Sequence, residues 1–214
     1  MPILPRRFYA RPALAVALDL LGCSLAWRGP RGAMTGRIVE VEAYEGADDP
    51  ASHAFRGPTA RNHSMFGPPG HAYVYFTYGM HHCVNVVTGA EGLPHAVLLR
   101  ALQPTSGLAR WRAARPDLPL ARIASGPGRL CRALGLDRSH DGLDLMRSAL
   151  TVHARPPGYV PGPICAGPRI GIRLARAAPY RLWLPGEAAV SRAGASEPAR
   201  GRTDALLTRR GARP

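Results

Sequence analysis

The stretch GRIVEVEAYEG, residues 36–46, decides the fold because polar and apolar residues alternate along it. Glu40, Glu42 and Tyr44 fall on one face, and small apolar residues fall on the other. A period of two is typical of a β-strand, so we predict a strand over residues 36–44. From the spacing alone, a solvated strand face that balances arginines is favoured. The alternative is that this face lines a basic pocket in which one carboxylate deprotonates water.

The charge of the chain is strongly positive. Its 214 residues carry 28 Lys and Arg against 14 Asp and Glu, a formal charge of +14. Such a surplus indicates a polyanionic partner, with duplex nucleic acid first and an anionic membrane second. Enrichment of arginine by genome composition is the alternative. All 28 cations are arginine, so chemistry that needs a lysine Schiff base is excluded.

Length and patterning predict one domain, residues 1–192, followed by a flexible basic tail, residues 193–214. The predicted elements are an extended lead-in at 1–10, a helix at 11–21, a long ordered loop at 45–70, a hairpin of strands 71–78 and 80–88, a strand at 95–102, two helical pieces within 106–123, a helix at 125–136 capped by Ser125, short strands at 149–154, 169–175 and 180–184, and a possible last strand from 186. This mixture predicts an α+β fold with a mostly antiparallel sheet.

No metal, disulfide or membrane signal stands out. The cysteines at 23, 83, 131 and 165 lack zinc or iron–sulfur spacing, and no HExxH motif occurs. They indicate buried thiols in a reducing compartment. The apolar stretch 12–25 is interrupted by Asp19 and is too short to span a bilayer. We therefore expect a cytoplasmic protein with no bound metal and no membrane association.

Two segments suggest contact with nucleic acid. Tyr78 precedes Gly79 at the predicted hairpin turn, where an aromatic ring can wedge into a base stack. Tyr73 or Tyr75 could wall a pocket and stack on a base, or the hairpin could simply belong to the core. The segment SGPGRL, residues 125–130, can cradle a phosphate at a helix start, and a plain turn is equally compatible with it.

Five segments together resemble one enzyme family. They are GRIVEVEAYEGADDPASHA (36–54), TARNHSMFGPPGHAYVYFTYGMHHCVNVV (59–87), AVLLRALQP (96–104), SGPGRLCRALGL (125–136) and GPRIGI (167–172). In this order they resemble the alkyladenine (3-methyladenine) DNA glycosylases of mammals and many bacteria. The resemblance implies a curved sheet flanked by helices, with a protruding hairpin that inserts into DNA. It also implies a monofunctional enzyme of base excision repair that needs no cofactor.

The resemblance assigns the chemistry to three residues. Glu42 matches the general base that deprotonates a water, which then attacks C1′ of the deoxyribose. Arg100 matches the residue that holds this water and the glutamate, and the carbonyl of Ile170 matches the third ligand of the water. Hydrolysis by water leaves an abasic site without lyase cleavage. The expected substrates are alkylated or deaminated purines: 3-methyladenine, 7-methylguanine, hypoxanthine and ethenoadenine.

The resemblance also assigns the contacts with DNA. Tyr44 and Tyr75 match the walls that sandwich the flipped base, His53 a hydrogen-bonding partner of its edge, and Asn85 a residue that clashes with the guanine amino group. Tyr78 matches the residue that takes the place of the flipped nucleotide. We expect phosphate contacts from Arg61 and Arg129, and a monomer that acts on double-stranded DNA near the nucleoid. The rival hypotheses are a noncatalytic basic nucleic-acid-binding module and a metal-dependent hydrolase.

Overall fold

The protein folds around one antiparallel sheet. A computed structural model describes residues 1–191, and the predicted tail, residues 193–214, lies outside the described residues. Within this range the strands are β1 (Ser24–Gly29), β2 (Gly32–Tyr44), β3 (Ala72–Thr77), β4 (His81–Thr88), β5 (His95–Ser106), β6 (Leu150–His153), β7 (Cys165–Gly167) and β8 (Arg181–Trp183). The helices are α1 (Arg6–Tyr9), α2 (Ala13–Leu20), α3 (Leu108–Ala114) and α4 (Pro127–Leu134). The predicted α+β class is confirmed.

The central strand is β2. The sheet runs in the order β3-β4-β5-β2-β1-β6, and β7 and β8 extend it beside β2. One edge of β2 pairs with β5, whereas the other edge is divided between β1, opposite Gly32–Arg37, and β8, opposite Glu40–Glu42. Register shifts on either side of Glu40 mark β-bulges, which bend a strand and increase its twist. The sheet accordingly curls into a half-barrel.

Both faces of β2 are buried where the acidic residues lie. The side chains of Glu40 and Glu42 are 0% exposed, as are those of Val39 and Val41 between them. The interpretation of this stretch as a solvated strand face is therefore wrong. The side chain of Arg181 on β8, together with Ser191 in the chain that follows, covers Glu40 on the face that the spacing assigned to solvent.

Most of the other predicted elements are confirmed. The predicted helix at 11–21 is α2, and the predicted hairpin is β3 and β4 with its turn at Tyr78-Gly79. The long loop 45–70 is ordered and contains the one-turn 3-10 helices Gly46–Asp48 and His63–Phe66. Further 3-10 helices are Leu120–Arg122, which with α3 forms the two expected pieces, and Arg138–His140.

Several local predictions are wrong. Residues 169–175 form a loop rather than a strand, because Gly171 and Ala175 adopt the left-handed φ values of 78° and 49°. Residues 186–191 form turns instead of a last strand. The lead-in contains α1, which buries Tyr9 completely. Strand β1 has no counterpart among the predicted elements.

Helix α4 begins differently from the prediction. Its N-cap residue is Gly126, with a φ of 108°, and Pro127 takes the first helical position. Ser125 therefore lies one residue too early to cap the helix. Its hydroxyl is buried without a hydrogen-bond partner among residues 1–191. The predicted end of the helix is confirmed, since Gly135 forms a left-handed C-cap.

Two apolar clusters position the candidate site. The larger one packs the helices against the sheet and includes the fully buried side chains of Trp111 and Leu130. The smaller one joins Ala54 and Met65 of the long loop to Tyr73 on β3. Burial of a methionine side chain stabilises a fold by about 1.5–3 kcal/mol, so this cluster anchors the loop on the sheet. The loop thereby brings His53 beside the tyrosines of β3.

The four cysteines are free thiols, of which Cys165 is half-buried and the other three are buried. No helix of residues 1–191 has the length and apolar character needed to cross a bilayer.

Candidate active site

A cavity of about 460 Å³ opens between the β3–β4 hairpin, the loop after β2 and the segment 170–174. It brings together residues from four strands and two loops that are far apart in the sequence. Seven of the residues predicted for the site line it: Tyr44, His53, Tyr75, Tyr78, Asn85, Arg100 and Ile170. The predicted base Glu42 contacts three of these residues, Tyr44, Arg100 and Ile170.

The carboxylate of Glu42 is held by one ion pair and two hydrogen bonds. Arg100 Nη1 lies 3.1 Å from Oε1, and the backbone N–H of Ile170 donates to the same oxygen at 2.8 Å. The hydroxyl of Tyr44 donates to Oε2 at 3.0 Å. Each oxygen of a carboxylate can accept about two hydrogen bonds, and Oε2 accepts one, from Tyr44. The group is therefore fixed in orientation, and Oε2 can still accept from another donor.

Aromatic rings form one side of the cavity. Tyr73 and Tyr75 stack with ring centres 5.4 Å apart, and the ring of His53 meets Tyr75 edge-on at 4.5 Å. Nδ1 of His53 lies 3.1 Å from the hydroxyl of Tyr73, which leaves Nε2 for another partner. Burial raises the pKa of Tyr73 to about 12 and raises that of Tyr75 as well. Both hydroxyls therefore stay neutral at physiological pH.

Burial also decides the charge of two further groups in the cavity. The pKa of Tyr44 is raised well above its ordinary value by burial and by the charge of Glu42. Tyr44 thus keeps the proton that it donates to the carboxylate. The pKa of His53 is lowered by partial burial of its ring and by the nearby charge of Arg61. His53 is accordingly a neutral imidazole at neutral pH.

Asn85 presents an acceptor to the cavity. Its side chain is 4% exposed, and Nδ2 donates to the carbonyl of Tyr73 at 3.0 Å. With the amide nitrogen engaged by the backbone, the amide oxygen is left for a ligand.

The tip of the hairpin is apolar and open to solvent. Tyr78 is 74% exposed and has a left-handed φ of 51°, and its hydroxyl donates to the carbonyl of Gly171 at 3.3 Å. Phe76 and Met80 flank it and are also exposed. Three large exposed apolar side chains at one turn are typical of a contact surface.

The two predicted phosphate ligands lie in different surroundings, Arg61 beside β3 and Arg129 on α4. Arg61 places its guanidinium 5.7 Å from the ring centre of Tyr75 and donates to the carbonyl of Phe76 at 2.9 Å. Arg129 lines a second cavity of about 470 Å³, whose lining also includes Arg132 and Ser125.

The sequence did not reveal a buried ion pair behind Tyr44. Arg169 binds Asp49 through both terminal nitrogens of its guanidinium group, with Nη2 2.8 Å from Oδ1. Its Nη1 also donates to the carbonyl of Ala43 at 2.9 Å. Its guanidinium also lies over the rings of Tyr44 and Tyr180, 4.6 Å and 5.3 Å from their centres. It therefore ties the loop that carries His53 to the end of β2. An alternating sequence such as GPRIGI gives no signal of this pairing.

No group of three or more His, Cys, Asp or Glu side chains is placed to hold a metal ion in the described part of the chain.

Comparison with known proteins identifies the class to which this fold and cavity belong. Residues 7–188 match the family model described as methylpurine-DNA glycosylase. The chain therefore belongs to the methylpurine-DNA glycosylase family.

Three relatives, all named "Putative 3-methyladenine DNA glycosylase", show how far the similarity extends. The protein of Burkholderia lata is 49% identical over 194 residues, which cover 88% of this chain and 91% of the relative. That of Methanoculleus marisnigri is 50% identical over 88% of this chain and 98% of its own length. That of Streptomyces avermitilis is 49% identical over 94% of this chain and 96% of its own.

Proposed function

We propose that this protein is a monofunctional DNA glycosylase of base excision repair, which removes alkylated or deaminated purines and leaves an abasic site. The observation that carries the proposal is the carboxylate of Glu42, oriented by Arg100, Tyr44 and the N–H of Ile170 at the base of an aromatic cavity. Membership of the methylpurine-DNA glycosylase family supports the same reaction.

The cavity suits a purine that has been rotated out of the duplex. Tyr44 and Tyr75 supply faces on which the base stacks, and Nε2 of His53 hydrogen-bonds to its edge. Alkylated purines such as 3-methyladenine and 7-methylguanine are cationic, and a cation is attracted to the electron-rich face of a neutral tyrosine. The side chain of Asn85, fixed by its hydrogen bond to the carbonyl of Tyr73, excludes undamaged guanine by a steric clash with the amino group of that base. The neutral lesions hypoxanthine and ethenoadenine need protonation as they leave.

Glu42 acts on water in this mechanism. A water bound at the open position of Oε2 is held by Arg100 and by the carbonyl of Ile170, and it attacks C1′ of the flipped deoxyribose. Its proton passes to Glu42, a C1′–O bond forms, and the electron pair of the breaking C1′–N bond leaves with the base. General base catalysis of this kind contributes about 10²- to 10⁴-fold to a rate. Because the chain has no lysine, a lysine-dependent strand cleavage cannot follow.

The surface around the cavity suits duplex DNA. Tyr78 inserts into the base stack in place of the flipped nucleotide, and its exposure at the hairpin tip supports this role. Arg61 and Arg129 contact phosphates of the DNA backbone. The cavity beside α4 supports the second contact, because its lining brings the guanidinium groups of Arg129 and Arg132 together.

Three further features complete the proposal. The protein acts as a monomer on chromosomal DNA in the cytoplasm, and it requires no metal or organic cofactor. Residues 193–214 add nonspecific affinity for DNA through their arginines. Removal of this tail should lower the affinity for undamaged duplex and the slope of its salt dependence, and an unchanged affinity and slope would contradict the role.

One assay separates this function from its rivals. The full chain is incubated, with a metal chelator present, with duplex DNA methylated by dimethyl sulfate or with a duplex that contains hypoxanthine. Released bases are counted, and abasic sites are then cleaved with alkali. The proposal predicts base release and alkali-dependent strand breaks. DNA binding without release would indicate a noncatalytic module, and release only without chelator would indicate a metal-dependent hydrolase.

A further inference from the structure

Four charged side chains are packed together beneath the cavity. Glu40 and Glu42 come from β2, Arg100 from β5 and Arg181 from β8, and none of these side chains is more than 7% exposed. Charges are removed from water at high cost unless they are paired and hydrogen-bonded. Here two carboxylates meet two guanidinium groups, so the formal charge of this buried quartet is zero. Of its members, Glu40 has no role in the mechanism proposed above.

Glu40 does not line the cavity, and its side chain contacts Arg100, Arg181 and Ser191. Its Oε1 accepts from Arg100 Nε at 2.9 Å, from Arg181 Nε at 2.7 Å and from the hydroxyl of Ser191 at 2.7 Å. Its Oε2 accepts from the backbone N–H of Ser191 at 2.6 Å. Burial alone would raise the pKa of Glu40, but these donors hold it below its ordinary value. Glu40 is therefore a fixed negative charge that does not touch the substrate.

Arg100 links this fixed charge to Glu42. Its Nε donates to Glu40, its Nη1 faces Glu42 at 3.1 Å, and its Nη2 donates to the hydroxyl of Ser191 at 3.3 Å. Two nitrogens of the planar guanidinium group, Nε and Nη2, are thus fixed by hydrogen bonds to Glu40 and Ser191. The third nitrogen, Nη1, faces Glu42. Without Glu40, the side chain would lose the contact that sets its orientation.

We propose that Glu40 is a positioning residue, which fixes the guanidinium of Arg100 against Glu42 and keeps the buried quartet electrically neutral. The inference rests on the proposed function, because it concerns the state of Glu42 as the base. Loss of Glu40 leaves an excess of one positive charge, which favours the ionised form of Glu42 and weakens it as a base. Loss of Arg181 leaves an excess of one negative charge, with the opposite effect.

The other groups near Glu42 keep the same charge in every variant, so they do not affect the comparison of the Glu40 and Arg181 variants. Tyr44 on its own strand, Tyr75 on β3 and Cys83 on β4 are neutral, because burial raises the pKa of each. Arg169, in the loop before Ile170, is charged and is paired with Asp49. None of these groups changes when Glu40 or Arg181 is replaced. Differences in pH dependence among the variants then report the charge of the quartet.

The test compares Glu40→Gln, Arg181→Met and the double variant, each as the full chain. The rate constant of base release is measured from pH 4.5 to 8 with enzyme in excess over duplex methylated by dimethyl sulfate, with spontaneous depurination subtracted. Because these lesions are cationic, they leave without protonation, and the acid limb of the profile reports the base. Under single-turnover conditions the rate constant does not depend on how much enzyme is folded.

For Glu40→Gln, we expect a plateau about 10- to 100-fold lower and an acid limb about one pH unit lower, with unchanged affinity for methylated duplex. For Arg181→Met, the acid limb should move about one pH unit higher. The double variant should return to within about 0.3 unit of the wild type, since it restores neutrality. If Glu40→Gln does not fold, Arg181→Met and the double variant still test the opposite shift and its reversal.

A matched control separates this role from a general effect of charge. Glu45→Gln removes a carboxylate that follows β2 and accepts a hydrogen bond from Tyr180 at 2.8 Å, outside the quartet. Its acid limb should coincide with that of the wild type. If the wild type releases bases but all variants share one acid limb, Glu40 is a structural residue only and the inference is overturned. No release by the wild type would instead overturn the proposed function, and the inference with it.

Discussion

Arg169 and Asp49 form a bidentate ion pair that fastens the loop after β2 to the segment carrying Ile170, with Nη2 2.8 Å from Oδ1. Both side chains are at most 5% exposed. Asp49 also accepts from the backbone N–H of Ala51 at 3.1 Å, so it shapes the turn that leads to His53. One buried pair therefore holds together two loops that line the cavity.

Asp49→Asn tests this fastening, and the exposed neighbour Asp48→Asn is its control. Removal of one partner leaves Arg169 buried without a counter-charge, which costs about 3–5 kcal/mol. A surface substitution changes stability by no more than about 0.5 kcal/mol. Urea titrations should therefore show a large decrease in the free energy of unfolding for Asp49→Asn and a small change for Asp48→Asn. Equal effects of the two substitutions would show that the pair does not stabilise the fold.

Glu40 should give the protein a pH-dependent stability. Its pKa in the folded state is held below its ordinary value of 4.5, so its contribution is complete above that pH and is lost as the pH falls through the folded-state pKa. We expect Glu40→Gln to lower the free energy of unfolding by about 3–5 kcal/mol at pH 7, because the buried Arg181 loses its carboxylate partner and Arg100 keeps only Glu42. Urea titrations at pH 7, 5 and 4 should show the difference shrinking below pH 4.5. A difference that grows in acid would contradict an ionised Glu40.

Two substitutions of Tyr78 distinguish the contribution of its ring to DNA binding from that of its hydroxyl. Tyr78→Ser removes the ring, and we expect affinity for a hypoxanthine duplex to fall about tenfold, because stacking on an aromatic ring contributes about 1–3 kcal/mol. Affinity for undamaged duplex should change less than twofold. Tyr78→Phe loses only the solvent-exposed bond to Gly171 and should bind like the wild type. Equal losses on both duplexes for Tyr78→Ser would argue against insertion at the lesion.

Arg129→Ala tests the phosphate contact beside α4. Binding should weaken to a similar degree on damaged and undamaged duplexes, and the slope of log K against log salt should fall by about one. Arg112→Ala removes an exposed arginine of α3 that lines neither cavity and serves as the control. An Arg129→Ala slope equal to that of Arg112→Ala would place the phosphate elsewhere.

Local patterns predicted the parts of the fold that depend on near neighbours. Alternation identified β2 and the hairpin, and helical spacing identified α2. Residues 169–175 also alternate, but the left-handed conformation of Gly171 and Ala175 turns them into a loop. The conformation of this loop depends on its contacts with Glu42 and Asp49, which lie more than 100 residues earlier in the chain.

For the site, too, features that depend on distant residues were harder to predict than features that depend on near neighbours. The residues of the cavity were found through the resemblance to a family, and the structure brings them together. The environment of Glu40 was not predictable from its spacing, because its partners Arg100 and Arg181 lie 60 and 141 residues away. An acidic residue on an alternating strand ordinarily faces water. The curl of the sheet and the contacts of Glu40 with Arg100, Arg181 and Ser191 convert that face into a buried ionic layer.

The most direct test of the central claim compares Glu42→Gln with Glu45→Gln on duplex DNA methylated by dimethyl sulfate. Glutamine keeps the shape of Glu42 but cannot accept the proton of a water. We expect base release by Glu42→Gln to be at least about 100-fold slower than by the wild type, with affinity for the methylated duplex retained. Glu45→Gln should release bases at the wild-type rate. Release by Glu42→Gln at the rate of the wild type would contradict the assignment of Glu42 as the base.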